Sequence, residues 1–118
     1  MATLMDNVPD RYLAAVRDRV ADEVLAVASF VRAGLPQSFL IAVTPSRVHA
    51  FAYASREVGL RVESELADWD RATLRADVER VPSGTRLTLS PGDAETVVCE
   101  GRDGALTESV LALLAQPR

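Results

Sequence analysis

A mainly β domain with flanking helices is predicted by three observations. Short apolar or alternating segments recur at intervals of roughly 8 to 12 residues, Pro- or Gly-bearing turns separate them, and each end of the chain carries an amphipathic helical stripe. The cadence is that of an antiparallel β-sandwich or partly open barrel of about seven strands, preceded by one helix and closed by another.

The most regular stretch is Ser38 to Tyr53, SFLIAVTPSRVHAFAY, two strands about a Thr44-Pro45-Ser46-Arg47 turn. Phe39, Ile41 and Val43 alternate with Leu40, Ala42 and Thr44, so the first strand is apolar on both faces and belongs inside a packed sheet. Pro45 presets the torsion that the second position of a type I turn requires. On the return, Val48, Ala50 and Ala52 form one row, and His49, Phe51 and Tyr53 the other.

Upstream, Asn7-Val8-Pro9-Asp10 resembles a helix start, and Tyr12, Leu13, Val16 and Val20 recur at helical spacing over about three turns. Glu23 to Val31 reads either as a continuation of that helix or as a buried strand. The polar break at Asp22-Glu23 and the loop Arg32 to Gln37 favour the strand. Residues 1–20 are thus expected to be a helical extension, and residues 21–116 the core of a single domain spanning residues 1–118.

Ala54 to Glu57 is expected to turn. Leu60, Val62 and Leu66 then point inward, with Arg61, Glu63 and Glu65 outward. Trp69-Asp70-Arg71 makes a corner, after which Leu74, Ala76 and Val78 alternate with Arg75, Asp77 and Glu79. If these two strands are neighbours, their opposite charges pair across a wet face, at up to ~1 kcal/mol a pair. Pro82-Ser83-Gly84 and Pro91-Gly92-Asp93 are turns around a strand at Arg86 to Leu89, and Thr96 to Cys99 is the last strand. Gly101 to Gly104 breaks the chain before a helix whose stripe is Leu106, Val110, Leu113 and Leu114, ended by Gln116-Pro117.

The chain has 118 residues, the size of one domain. Its formal charge of −4 and pI near 4.9 argue against non-specific binding to nucleic acid or anionic membranes, which needs a basic field. All 13 basic residues are Arg. That composition follows from a GC-rich genome, or else serves carboxylate or phosphate recognition. The single Cys99 precludes an internal disulfide. With neither a signal-peptide pattern nor ~18 consecutive apolar residues, the expected location is the cytoplasm.

In its order of elements the chain resembles the bacterial pleckstrin-homology-like (PH-like) domains, particularly short, uncharacterised ones of high-GC Gram-positive bacteria. The resemblance rests on Glu23 to Val27, on Phe39 to Phe51 with its Thr44-Pro45-Ser46-Arg47 turn, and on Val58-Gly59 through Trp69-Asp70-Arg71, running in order from about Val20 to Leu114. It implies two nearly orthogonal antiparallel sheets plugged at one end by the carboxy-terminal helix, and an interaction platform without catalysis. The related phosphoinositide-binding domains use Lys and Arg in the first hairpin loop. Here Arg32 to Gln37 holds one Arg and no Lys, so lipid-headgroup binding is not expected.

No catalytic, cofactor or metal site is expected. His49 lacks a recognisable nucleophile, orienting acid or set of zinc ligands at characteristic spacing. Cys99 reads as a buried small hydrophobe. Glu63 and Glu65 read as a solvated row rather than a glycosidase pair, and Gly101 to Gly104 as a cap rather than an anion loop. The interaction candidates are Tyr12 and Val16 on the first helix, and Trp69 and Arg71 at the corner. The expected role is a protein-interaction or scaffolding module whose partner is another protein or a second copy of the chain. The rival is a small-molecule or anion sensor using a cleft near Trp69. Enzymatic function requires His49 beside a carboxylate in a closed pocket.

Overall fold

The computed structural model describes residues 12–32, 38–56, 59–92, 94–101 and 104–115. A short helix α1 (residues 12–17) precedes seven strands: β1 (Ala26–Arg32), β2 (Ser38–Val43), β3 (Arg47–Arg56), β4 (Gly59–Asp70), β5 (Arg75–Val81), β6 (Gly84–Ser90) and β7 (Val97–Gly101). Helix α2 (Ala105–Leu114) closes the chain. Neither described helix is long and apolar enough to cross a membrane.

The strands form one antiparallel sheet in the order β4-β3-β2-β1-β7-β6-β5, where two sheets were expected. β4 and β5 occupy opposite margins, although only residues 71–74 join them. Laid flat, six strand spacings would hold the margins roughly 29 Å apart. Five Cα–Cα steps reach at most about 19 Å. The sheet therefore curls until its margins approach at that corner, leaving an inner and an outer face. This order also corrects the expected charge pairing of β4 with β5. The charged contacts join true neighbours instead, Arg47 with Asp68 across β3–β4 at 2.8 Å, and Arg86 with Glu79 across β5–β6 at 3.6 Å.

Both faces of β2 are covered, as its sequence requires. Phe39, Ile41 and Val43 join Phe30, Val48, Leu87, Leu89 and Cys99 on the inner side, together with Val110 and Leu111 of α2. Leu40 and Ala42 face outward with Val27, Phe51 and Val62, beneath Val16 of α1 and Val20. The strand reading of Glu23 to Val31 therefore holds from Ala26 onward. The helix stops at residue 17, because Val27 and Phe30 are needed on opposite faces of the sheet. The helix start at Asn7 to Asp10, most of the loop to Gln37, Asp103 and Gln116-Pro117 lie outside the described residues.

The Thr44 turn closes through Thr44 N–H to Arg47 O at 2.9 Å, while the Thr44 hydroxyl oxygen accepts from Arg47 N–H at 2.9 Å. Further along, β3 runs on to Arg56 where a turn was expected. In β4 the expected burial holds for Leu60 and Val62, with Arg61, Glu63 and Glu65 exposed, but not for Leu66. Between Ala50 and Phe51 of β3 the partner jumps from Ala67 to Glu65, and between Ala52 and Tyr53 from Ser64 to Val62. Leu66 and Glu63 are thus the extra residues of two β-bulges. Leu66, expected inward, is 57% exposed. Trp69 lies within β4 rather than at the corner, and Val78 of β5 is exposed.

α2 sits close on the sheet because β7 ends in Gly101. A Cβ there would fall 2.6 Å from Thr107 Cγ2 and 2.8 Å from Phe30 Cε2. Leu111 completes its buried stripe with Val110, while Leu106, Leu113 and Leu114 are half-buried. Arg80 of β5 grips Glu108 in the first turn of the helix through contacts of 2.6 and 3.0 Å, which hold the Glu108 carboxyl below its ordinary range.

Candidate functional site

On the inner face, Phe39 pairs with Ala52 and Ala50 with Ala67. Three alanines in adjacent positions leave the volume that larger side chains would fill. The result is a cleft of about 420 Å³, with Phe39, Ala50, Ala52 and Ala67 along its floor. Leu66 and Trp69 form the β4 side of its rim, Ala94, Glu95 and Val97 the approach to β7, and Arg32 and Ser38 the end near the β1–β2 connection. The bulge at Leu66 shapes this rim, because it turns a large apolar side chain outward beside the cleft instead of filling it. Trp69 also borders a second, more polar cavity of about 500 Å³, together with Arg47, Asp68, Asp70 and Pro91.

Of the four interaction candidates, only Trp69 stands at this cleft. Val16 is fully buried beneath the described part of α1, and Tyr12 is half-buried on the same outer-face cluster. Arg71 is 7% exposed, and its guanidinium donates to the carbonyls of Thr44 at 3.2 Å, Pro45 at 3.4 Å and Leu113 at 3.0 Å. It ties the hairpin turn and the end of α2 to the β4–β5 corner. Leu66 escaped sequence reasoning because strict alternation assigns it to the core. The floor alanines escaped because small residues carry no signal of what they leave empty.

The same bulge assembles a polar group on the outer face. His49 lies opposite Asp68, and the skipped Leu66 brings Glu65 onto the same side. His49 Nδ1 is 2.7 Å from Glu65 Oε2 and 3.7 Å from Asp68 Oδ1, and Arg47 Nε donates to Asp68 Oδ1 at 2.8 Å. The imidazole stacks on Phe51, with ring centroids 5.8 Å apart and planes 13° from parallel. The side chains of Glu65 and Asp68 are 41% and 43% exposed. A carboxylate therefore does stand beside His49, but at an open sheet surface and not in a closed pocket. Glu63, paired with Glu65 in the sequence reading, is the extra residue of the other bulge.

Cys99 is fully buried, with its thiol directed to the Leu87 carbonyl at 3.6 Å. Burial first, and the charge of Glu100 second, push its pKa up to about 12. The thiolate is the reactive form, so this residue is chemically quiet in the native state. Alkylation by iodoacetamide at pH 8 is expected to be negligible until denaturant is added, and prompt labelling of the native protein would contradict the burial. The unfolded chain ionises from about pH 8.5 while the folded thiol keeps its proton. Stability is accordingly whole below that pH and falls as pH rises toward 12, with a limiting slope of about 1.4 kcal/mol per pH unit. A Cys99→Ala variant is expected to lack that component.

Compared with protein-family models and with curated proteins, the chain matches none.

Proposed function

We propose that this chain is a non-catalytic interaction module that receives an apolar segment of a protein partner in the cleft beside Trp69. The observation that carries the reading is Leu66, 57% exposed at the rim of an apolar cleft. Water-exposed large apolar groups beside an apolar hollow are a common mark of a contact surface, and Trp concentrates binding energy at such surfaces. Antiparallel strands packed against a carboxy-terminal helix are the part of the PH-like resemblance that supports the same reading, although one sheet stands where the resemblance implies two. Cytoplasmic placement belongs to the proposal, as does the choice of partner between another protein and a second copy of the chain.

The test compares the full-length wild type with Leu66→Glu, a change at an exposed position expected to leave stability within about 0.5 kcal/mol. Proteins cross-linked to the wild type should be lost from the variant, and concentration-dependent mass should change with them if the partner is a second copy. Identical cross-linked sets and identical masses would overturn the reading.

A small-molecule sensor is the second reading, favoured by the cleft volume, which lies in the usual range for ligand sites. It predicts a raised melting temperature with an apolar compound. It also predicts a matching change in the fluorescence of Trp69, the sole tryptophan.

A further inference from the structure

The outer-face group around His49 holds a different chemistry from the cleft. One side-chain donor atom each from His49, Glu65 and Asp68 lies within 4.8 Å of the others. Donors bound to one small divalent ion at about 2.0–2.2 Å stand roughly 3–3.6 Å apart. The separations of 2.7 Å and 3.7 Å from His49 Nδ1 bracket that range, and with all three donors within 4.8 Å of one another, rotation of the two exposed carboxylates brings them to one ion. We propose that His49 Nδ1 and the carboxylates of Glu65 and Asp68 form a three-donor site for a divalent transition ion of the Zn²⁺ type, with water completing its shell.

Three features of the surroundings argue for an ion rather than a closed hydrogen-bond pair. An imidazole with two carboxylates is a donor set suited to Zn²⁺ or Mn²⁺, whereas Mg²⁺ and Ca²⁺ prefer oxygen alone. The ring is nearly buried and fixed by Phe51, so its position is set in advance, while the two-fifths exposure of the carboxylates admits the ion and its waters. Arg47 uses one site on the Asp68 carboxylate and directs its other bond, at 3.1 Å, to the Asp68 backbone carbonyl. A carboxylate offers about four lone-pair sites, so Asp68 remains free to ligate while Arg47 orients it.

Binding replaces any proton on Nδ1, which leaves to solvent as the ion takes its place. The ion would clamp β3 to β4 at the bulge where their ladder is interrupted. The site lies on the opposite face of β3 from the cleft, so its failure leaves the proposed function untouched, and the reverse also holds.

Chelator-washed full-length protein titrated with Zn²⁺ by calorimetry is expected to bind one equivalent, with a raised melting temperature, and Mg²⁺ is expected not to compete. Co²⁺ in its place should give the visible d–d bands of an ion with nitrogen and oxygen donors. Glu65→Gln and Asp68→Asn, both exposed and nearly isosteric, should each weaken Zn²⁺ at least about tenfold without lowering the metal-free melting temperature by more than a degree or two. Absence of a stoichiometric binding event, or equal affinity in wild type and both variants, would overturn the site.

Discussion

Ile41→Ala is expected to lower the free energy of unfolding by about 2–5 kcal/mol, toward the upper end. Ile41 is fully buried in the inner core, and its partners on the two flanking strands are Ala28 and Ala50. Neither alanine can swing into the vacated space. The remaining wall includes Phe39 and Val43 on the same strand and Val110 and Leu111 across from it, held by the sheet ladder and by the helix seated on Gly101. A site that cannot collapse keeps its cavity, and the residual cavity sets the cost beyond simple transfer. Urea unfolding followed through Trp69 emission should show a lower midpoint with an unchanged slope. A loss below about 1 kcal/mol would show that β2 is not the packed centre of the sheet. Leu66→Ala, two strands farther out and solvent-facing, is the control and should change stability by no more than about 0.5 kcal/mol.

Arg71→Met is expected to cost about 3 kcal/mol, since at least two carbonyls held by the guanidinium lose a donor in a buried setting, at roughly 1–3 kcal/mol each, while the methionine recovers some packing. The loss has a location as well as a size. Arg71 reaches Leu113 at the carbonyl end of α2, where a cation complements the helix dipole, and reaches Thr44 and Pro45 in the β2–β3 turn. Hydrogen exchange should therefore accelerate first in the last turn of α2 and at the Thr44 turn, ahead of the β1–β2 ladder. Arg71→Lys keeps the charge without the planar fork, and should restore only part of the protection. Unchanged exchange in α2 together with wild-type stability would mean that the corner is held by other contacts.

What residue order shows directly is anything a local period can encode. The two-faced apolar strand from Phe39, the reversal at Pro45, the rows of Val48 and His49, and the closing helical stripe all appear where the pattern places them, because side-chain alternation and turn torsions are properties of neighbouring residues. Glu23 to Val31 was decidable only by its polar boundary, since a short apolar run satisfies a helix and a strand alike. Arg71 illustrates the opposite case. Its neighbours Asp70 and Trp69 suggest a surface corner, yet acceptors that are far away in sequence draw it inside.

By itself, then, the sequence determined the class of fold, the number of strands and the burial of β2 on both sides. The tertiary structure alone decided that β4 and β5 lie at opposite margins of one curled sheet, and that two extra residues interrupt β4. The bulge at Leu66 turns that side chain toward water beside an alanine-floored cleft and brings Glu65 to His49. A bulge shifts every later side chain by one position, and its place is fixed by the partner strand, so no reading of β4 in isolation could locate either site.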